Sequence, residues 1–549
     1  MNKKLSLISL FIMSIISIFY WALIPKEELH EAKWNAPDTT LAITINGEIS
    51  TTFPTTSAYT ATVECTTGTG KVEWNGSKWV LTTSGITKGS TKCNVIFGTP
   101  TFKDIILANN EVQTPLTTPG REVSAYTKDD ITTTSTRLVS STYEAYYITY
   151  GTGYSANGSN FNLTGTAVTS DTYANSYSNL VGKYLVDSYI PSTGSSTAGD
   201  MKTTTNLDAV YYVVSATLNY FTYKEITSNK NTTEALLAST EDDYGTSYYF
   251  RGAVKNNYVE FANKCWRIVR IVGDGSVKLV LHNDNTSGAS NPCSSANNST
   301  TAAFARYSGT TYTSAFNSSH NDNAYIGFMY GATGASDYAS THANTNKSTI
   351  LTNLEIWYTN NLASYERELA DTIWCNDKST ITTLLSGSTY GTGLGYGTNQ
   401  TGYGAYNRIY GGGAASYANP SLICPNDNNG GKLSKFTVSD TKNGNGNLTY
   451  KVGLLTADEI AFAGSIYNTN NYSAYLQENT GTTLWWSLSP EAFDSYNNYT
   501  FVWSVYGDRG DMTSDAVHGG SGVRPSISLV SSTNVTGDGT SENPYIVEP

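Results

Sequence analysis

The side chains best suited to binding chemistry lie in a polar segment near the C-terminus. Between "WWSLSP" (Trp485–Pro490) and "GVRPSISLV" (Gly522–Val530), aromatic, acidic, basic and imidazole groups follow one another closely. Aromatic rings supply contact area with few rotatable bonds, and polar groups orient a ligand. We therefore predict a ligand-binding patch made of seven residues of this segment: Tyr496, Tyr499, Tyr506, Asp508, Arg509, Asp511 and His518.

Two hydrophobic stretches must hold the ends of this segment. We expect Trp485 and Leu488 to be buried, and we expect Val523, Ile527 and Leu529 to form the inward face of a closing strand. With its ends fixed, the segment between them is free to present side chains at the surface.

Three features of the segment also have structural interpretations. Trp503 and Val505 fit the core of a central strand better than a binding surface. Arg524 is expected to reach an acidic or carbonyl partner. The tripeptide Arg509-Gly510-Asp511 is explained by a turn at Gly507 and Gly510, without any integrin-type recognition.

Searches for enzyme motifs predict no catalytic residue and no cofactor. The chain has no Gly-x-Ser-x-Gly elbow between a strand and a helix, and no His-Glu-x-x-His pair. The carboxylates Glu241-Asp242-Asp243 have no cleft that the sequence identifies. No Cys-x-x-Cys occurs and no histidine stands in ligand spacing to a cysteine, so we expect no metal site.

Six cysteines in an exported chain indicate disulfides. Six allow fifteen connectivities, but their grouping along the chain favours sequence neighbours. The expected pairs are Cys65 with Cys93, Cys265 with Cys293, and Cys375 with Cys424.

Length and charge limit the protein class. A chain of 549 residues is expected to form two to four domains. Its net charge of -12 argues against nucleic acid as a partner, because phosphate binding requires clustered basic groups. The 41 tyrosines, against 16 phenylalanines, favour exposed recognition surfaces, although a compositional bias of secreted β proteins explains them as well.

The N-terminus predicts export. Lys3 and Lys4 precede the uncharged stretch Leu5–Ile24, which is long enough to cross a bilayer as a helix. We interpret residues 1–25 as an uncleaved signal-anchor with the rest of the chain outside the cell. A cleaved signal peptide, giving a secreted protein, is the alternative.

Three regions follow the N-terminal helix. Residues 38–100 alternate as short strands around a cysteine pair and resemble an immunoglobulin-like β-sandwich of bacterial surface proteins. Residues 101–244 are rich in Thr, Ser and Tyr and form either a β region or a spacer, with "AVYYVVSATLNYFTYKEI" (Ala209–Ile226) strand-like. Residues 245–549 combine strands and helices. The predicted class is therefore a multi-domain, mainly β chain with an α+β C-terminal domain.

The C-terminal region begins as an antiparallel meander, with turns predicted at Asn256-Asn257 and at Gly273-Asp274-Gly275. A helix is predicted over 350–361 after the cap candidates Ser348 and Thr349. A second follows the capping box formed by Thr456 and Glu459, with Gly464 as its stop. A long Gly/Tyr loop, Gly387–Tyr417, lies between them.

This order of elements resembles the bacterial form of the C-type-lectin-like fold. The motifs that carry the resemblance are "LLTADEI" (Leu454–Ile460), "WWSLSP", "VWSVYGDRG" (Val502–Gly510) and "GVRPSISLV". The fold is shared with formylglycine-generating enzymes and with variable ligand-binding proteins. The last hundred residues are most similar to the C-terminal domains of uncharacterised Firmicutes surface proteins.

The resemblance implies binding and does not imply catalysis. Formylglycine-generating enzymes need cysteines near the end of the domain, and this chain has none after Cys424. The calcium motifs of sugar-binding lectins are also missing, and "WCND" (Trp374–Asp377) departs from their Trp-Asn-Asp. We therefore expect a membrane-anchored extracellular adhesin that binds a glycan or protein. The alternatives are a self-associating cell-envelope protein and an unrecognised enzyme.

Overall fold

The computed structural model describes side chains over residues 41–121 and 234–547, apart from 57–58, 88–89, 116, 386–389 and 411–417. Between 133 and 227 it describes strands as backbone, together with the turn at 181–182. The chain divides into two compact units, Met1–Ala108 and Asn109–Pro549. The protein is mainly β with few helices, as the composition and alternation predict.

The first unit consists of two small sheets around one core. Its strands are β1 (Thr40–Ile45), β2 (Glu48–Ser50), β3 (Thr60–Cys65), β4 (Thr69–Trp74), β5 (Trp79–Ser84) and β6 (Lys92–Gly98), and helix α1 (Phe102–Asn109) comes after them. One sheet has the order β2-β1-β6-β3, and β4 pairs with β5. The core takes Ile43 and Val95 from the first sheet and Val72 and Leu81 from the second. The immunoglobulin-like assignment stays a prediction.

All three disulfides join the cysteines that were predicted to pair. Cys65–Cys93 joins neighbouring positions of β3 and β6, so it crosslinks two strands of one sheet. Cys265–Cys293 closes a separation of 28 residues, and Cys375–Cys424 closes one of 49. Closing a loop of this size lowers the conformational entropy of the unfolded chain. Each bridge thereby stabilises the folded state by about 3–4 kcal/mol.

The middle of the chain contains β-structure. Its strands are β7 (Thr133–Leu138), β8 (Ile148–Gly151), β9 (Gly153–Asn157), β10 (Asn160–Thr164), β11 (Val168–Ser170), β12 (Tyr184–Leu185), β13 (Ala209–Ala216) and β14 (Tyr220–Thr227). Six of them form a sheet in the order β11-β8-β12-β13-β14-β7, and β9 pairs with β10. The strand-like stretch over 209–226 is the antiparallel pair of β13 and β14.

The C-terminal region has more strands than helices. The strands are β15 (Ala235–Asp242), β16 (Gly245–Gly252), β17 (Tyr258–Phe261), β18 (Lys264–Ile271), β19 (Val277–Asn283), β20 (Thr313–Ser314), β21 (Met329–Tyr330), β22 (Asn346–Lys347), β23 (Trp374–Cys375), β24 (Thr401–Gly402), β25 (Lys435–Phe436), β26 (Leu484–Asp494), β27 (Tyr499–Tyr506), β28 (Met512–Ala516), β29 (Ser521–Gly522), β30 (Ser526–Leu529), β31 (Val535–Thr536) and β32 (Tyr545–Val547). The helices are α2 (Tyr338–Thr341), α3 (Thr349–Asn361), α4 (Gly404–Tyr410) and α5 (Ala457–Phe462). Strand β15 lies before the predicted boundary at 245 and pairs along its length with β16.

Two sheets organise this region. The larger has the order β15-β16-β18-β17-β32-β31, and β19 pairs with β18 and with β30. The smaller has the order β20-β29-β26-β27-β28, and β24 pairs with β26. The closing strand β30 therefore belongs to the larger sheet, whereas the predicted ligand-binding segment lies in the smaller one.

The meander prediction is wrong in its connectivity. Strands β16 and β17 both pair with β18, on different halves of it. The tight hairpin between β17 and β18 turns at Ala262 and Asn263, which have φ of 53° and 56°. The side chain of Asn257 instead donates to the Ile268 carbonyl. The predicted turn at 273–275 is confirmed, with φ of 88° at Gly275.

Both predicted helices form, with the predicted caps. The Ser348 hydroxyl accepts from the Leu351 amide at the start of α3. At α5, Thr456 and Glu459 make the reciprocal capping box, and Gly464 has a φ of 115° just beyond the helix end. The predicted Gly/Tyr loop is not purely a loop, because it contains β24 and α4.

A buried ion network joins α5 to the larger sheet. The Glu459 carboxylate accepts from Lys278 Nζ at 2.7 Å and from Arg270 Nε at 3.0 Å. Arg270 also pairs with Asp242 at 2.5 Å. Burial opposes ionisation of Glu459, but Lys278 and Arg270 lower its pKa to about 2. Burial lowers the pKa of Lys278 to about 8, although Glu459 counteracts part of this effect.

The predicted signal-anchor, residues 1–25, lies outside the described residues. Among the helices that the structure does describe, none has the length and apolar character needed to cross a membrane.

Replacing Glu459 tests the ion network. The substitution Glu459→Gln leaves Lys278 and Arg270 buried without their shared anion, so the free energy of unfolding should fall by about 3–5 kcal/mol. Urea denaturation followed by tryptophan fluorescence measures the change. Glu241→Gln is the control, because Glu241 is exposed and, within the described part of the chain, its carboxylate bonds only the Thr246 hydroxyl. Its loss should cost less than about 1 kcal/mol. Equal effects of the two substitutions would contradict the role given to Glu459.

Candidate functional site

The polar segment between Trp485 and Val523 begins and ends at the same place in the smaller sheet. Trp485 of β26 is the parallel partner of Gly522 in β29. Trp485, Leu488, Val523, Ile527 and Leu529 are all buried, as predicted. The frame therefore fixes both ends of the segment side by side.

Arg524 anchors the second end of the segment. Its guanidinium donates to the carbonyls of Leu281, at 3.0 Å, and Leu476, at 2.7 Å, so the predicted carbonyl partner is confirmed. The guanidinium lies 4.9 Å from the centre of the Trp485 ring. Burial lowers the pKa of Arg524 to about 9. The two ends of the segment are thus held by the same buried arginine.

Within the segment, β27 is the central strand of three. It pairs with β26 on one side and β28 on the other. Trp503 and Val505 are buried, which confirms their interpretation as core residues. The predicted turn at Gly507–Gly510 also forms, since the Gly510 amide donates to the Tyr506 carbonyl.

Three of the predicted binding residues, Tyr496, Tyr499 and His518, lie near the start of β27. Tyr499 stacks on His518, with ring centres 5.3 Å apart, and both rings contact His320. Tyr496, in the turn between β26 and β27, is 93% exposed. We call Tyr496, Tyr499, His518 and His320 the Tyr499 group. His320 was not among the predicted residues.

The other four predicted residues are Tyr506, the last residue of β27, and Asp508, Arg509 and Asp511, which follow it. The Arg509 guanidinium lies 3.9 Å from the centre of the Tyr506 ring and 3.4 Å from Asp511 Oδ1. Asp508 is exposed, but Asp511 is buried, and burial raises its pKa. The buried Asp511 carboxylate therefore stabilises the position of the Arg509 guanidinium. We call these four residues the Arg509 group.

The structure separates the seven predicted residues into two patches. Tyr499 and Tyr506 are the first and last residues of β27. At about 3.3 Å per residue, the ends of this strand are roughly 23 Å apart. Because residues alternate between the faces of a strand, Tyr499 and Tyr506 also point to opposite sides of the sheet. One small ligand cannot contact both groups.

A cluster of tyrosines covers the middle of β27, where no binding residue was predicted. Tyr467 packs edge-on against Trp503 at 5.8 Å and against Tyr410 at 5.2 Å. Tyr406 stacks on Tyr410 at 4.8 Å and meets Tyr390 at 5.0 Å. We call Tyr390, Tyr406, Tyr410 and Tyr467 the tyrosine cluster. Its only signal in the sequence is the density of tyrosine in the Gly/Tyr loop.

The elements around α4 place this cluster on the sheet. Strand β24 pairs with β26 at Phe493 and Ala492, so the loop is fastened to the sheet just before α4 begins. Helix α4 then carries Tyr406 and Tyr410 one turn apart, on the same side. Tyr467 bridges to Met512 at the start of β28.

Glu491 of β26 lies beside this cluster and has a raised pKa. It is 6% exposed, and its Oε2 has no hydrogen-bond partner among the described residues. Burial raises the pKa of Glu491 to about 7, and Ser514 counteracts part of this rise. Burial raises the pKa of Tyr390 and Tyr467, and the charge of Glu491 adds to both rises, so the carboxyl group lies near their hydroxyls.

The indole N–H of Trp503 adds a hydrogen-bond donor to this site. Its indole Nε1 is also buried without a partner among the described residues. Trp503 pairs with Ser514 across β27 and β28, and Ser514 bonds the Glu491 carboxyl, so both groups lie on one face of the sheet. A donor, an acceptor and several half-buried rings therefore meet in one place. This combination suits a ligand with apolar faces and hydroxyl groups.

A cleft elsewhere in the C-terminal region is lined by charged side chains that stabilise the fold. This cleft, beside Cys375–Cys424, is lined by Asp242, Asp243, Asp458 and Glu459, so two of the three carboxylates Glu241-Asp242-Asp243 border a cleft that the sequence does not identify. Each is paired: Asp243 with Lys435 at 2.9 Å, and Asp458 with Arg408 at 2.8 Å. The remaining two belong to the ion network of α5. These charges hold neighbouring elements together.

Within the described ranges, no three His, Cys, Asp or Glu side chains come together in a way that would hold a metal ion. The chain matches no protein-family model, no curated protein and no solved structure. The site is therefore interpreted from its own geometry.

The pH dependence of stability tests the environment of Glu491. Its raised pKa means that the folded protein holds this proton more tightly than the unfolded chain. Wild-type stability should therefore fall as pH rises from about 4.5 to about 7, and the loss should stay constant above that. Glu491→Gln stays neutral, so it should exceed the wild type by up to about 3 kcal/mol above pH 7.

Urea unfolding of both proteins between pH 4 and 8 measures this difference. Glu542→Gln is the matched control, because Glu542 is exposed. It should differ from the wild type by the same amount at every pH. A difference between Glu491→Gln and the wild type that does not vary with pH would refute the assignment.

Proposed function

We propose that this chain is an extracellular cell-surface recognition protein whose C-terminal domain, residues 245–549, is lectin-like and binds a glycan or protein ligand. The observation that carries the proposal is the tyrosine cluster next to Glu491 and Trp503. The N-terminal stretch Leu5–Ile24 would anchor the protein in the membrane, or direct its secretion if it is cleaved.

The tyrosine cluster supports recognition of a glycan. Sugar rings present apolar C–H faces that pack on aromatic rings, and hydroxyl groups that need paired donors and acceptors. Tyr390, Tyr410 and Tyr467 are half-buried, so their rings reach both the sheet and the surface. Glu491 Oε2 and Trp503 Nε1 are buried without a partner among the described residues, so they would bond sugar hydroxyls only after the neighbouring tyrosine rings move aside.

Export is supported by the disulfides. The six cysteines form three bridges, and the described residues contain no free cysteine. Structural disulfides persist in oxidising compartments and are rare in the cytosol. The net charge of -12 also argues against nucleic acid as the partner.

The Arg509 group and the Tyr499 group are alternative locations for the contacts of this protein with a partner. The Arg509 group offers a cation held over an aromatic ring, which suits an acidic or carbonyl-bearing protein loop. The self-associating alternative is favoured by one observation, the almost complete exposure of Tyr496. An exposed ring at a hairpin tip is a suitable contact between copies of the same chain.

A glycan and protein array probed with the full exported chain tests the proposal. Tyr467→Ala should weaken glycan binding about tenfold or more, because an aromatic contact is worth on the order of 1 kcal/mol beyond its buried area. Tyr506→Ala with Arg509→Ala should leave glycan binding unchanged, since these residues lie at the far end of β27. Asp511 is kept in this variant because it is buried.

The remaining outcomes separate the alternatives. Loss of binding only in the Tyr506/Arg509 variant would move the site to the Arg509 group. Concentration-dependent assembly in sedimentation, abolished by Tyr496→Ala, would support the structural role and displace the recognition proposal. An array with no binding to any glycan or protein would refute recognition.

A further inference from the structure

A lysine outside the ligand-binding face is completely enclosed in the C-terminal region. Lys378 has no exposed surface, and its Nζ donates to the Met329 carbonyl at 2.9 Å and to Asn344 Oδ1 at 2.5 Å. The Phe436 ring lies 5.0 Å from Nζ and packs edge-on against Phe328. No carboxylate among the described residues forms an ion pair with it.

This environment favours the neutral amine of Lys378. Burial lowers the pKa of Lys378 to about 7, although the charge of Asp427 counteracts part of the effect. His342, a buried neighbour, is uncharged, because burial and the charge of Lys378 lower its pKa to about 3. A desolvated lysine that loses its proton near neutral pH is a nucleophile.

The carboxamide of Asn344 is held against this amine. Asn344 is 5% exposed, and its Nδ2 donates to the Leu433 carbonyl at 3.2 Å. Since a C=O bond is about 1.23 Å long, Lys378 Nζ lies within about 3.7 Å of Asn344 Cγ. Reacting atoms in productive geometry are roughly 3–3.5 Å apart. The two groups therefore need little movement to react.

We propose that Lys378 and Asn344 join in an intramolecular isopeptide bond. The lone pair of Nζ attacks Cγ, and the bond from Cγ to Nδ2 breaks. One proton leaves Nζ and one is delivered to Nδ2, so that ammonia departs and a secondary amide remains. No electron transfer occurs and no co-reactant is needed.

Asp427 is the acidic residue connected to this pair through Leu433. Its Oδ2 accepts from the Leu433 amide at 2.9 Å, and the carbonyl of the same residue accepts from Asn344 Nδ2. Asp427 is 6% exposed, and its charge acts on Lys378. Its Oδ1 accepts from the Asn429 and Gly431 amides, so Asp427 influences the pair through its charge and not through a direct hydrogen bond.

The bond would brace the base of the Gly/Tyr loop. Asn344 lies shortly after α2, and Lys378 lies three residues after Cys375, whose disulfide with Cys424 closes the loop. The covalent link would hold the start of the loop at a second point, in addition to the disulfide. The inference does not depend on which ligand the tyrosine cluster binds.

Mass spectrometry of the full chain, with disulfides reduced and alkylated, tests the proposal. Loss of ammonia lowers the mass by about 17 Da. Trypsin cannot cleave after a lysine whose amine is acylated, so peptide 307–347 should appear joined to 368–408. A peptide ending at Lys378, with no mass loss, would overturn the proposal in the wild-type protein itself.

The branched peptide distinguishes the bond from other losses of ammonia. A deficit of about 17 Da without it would come from cyclisation of an asparagine and would refute the crosslink. Lys378→Met and Asn344→Ala should each abolish the branched peptide. Lys264→Met is the control: Lys264 is also buried but pairs with Asp284, so its loss should leave the branched peptide intact.

Discussion

Glu459 is the group on which the C-terminal region depends most directly. Its carboxylate accepts from Lys278, Arg270 and the Thr456 amide while buried inside α5. This anion lies between two buried cations and stabilises both, with Asp242 as a second partner of Arg270. Strand β19, which carries Lys278, also pairs with β30. One ionic centre therefore aligns the helix with the closing strand that follows the ligand-binding segment.

Local signals in the sequence were sufficient to predict the elements whose structure depends on residues close in sequence. The capping box at Thr456 follows from side chains three positions apart, and the burial of β30 follows from its apolar pattern. The hairpin at Ala262 and Asn263 could not be predicted in this way, because alanine has no preference for positive φ whereas Asn256-Asn257 does. Tertiary pairing with β18 decides where the chain turns.

The binding surface was predictable only in part, for a geometric reason. Residues close in sequence lie far apart when the strand between them is extended, so one predicted patch becomes the Tyr499 and Arg509 groups. The tyrosine cluster shows the opposite relation, because Tyr390, Tyr410 and Tyr467 lie far apart in the sequence but close together in the folded protein. No spacing rule connects such positions, and the state of Glu491 depends on that convergence.

The adjacency of Trp485 and Gly522 has an evolutionary consequence. Since both termini of the segment share one point of the scaffold, changes in the length of its turns cost little loop entropy, whereas its central strand β27 must be kept for the core. Diversification would therefore concentrate in the turns at the two ends of β27 while the surrounding domain stays constant. The same property makes these turns suitable acceptors for grafted peptides in an engineered display protein.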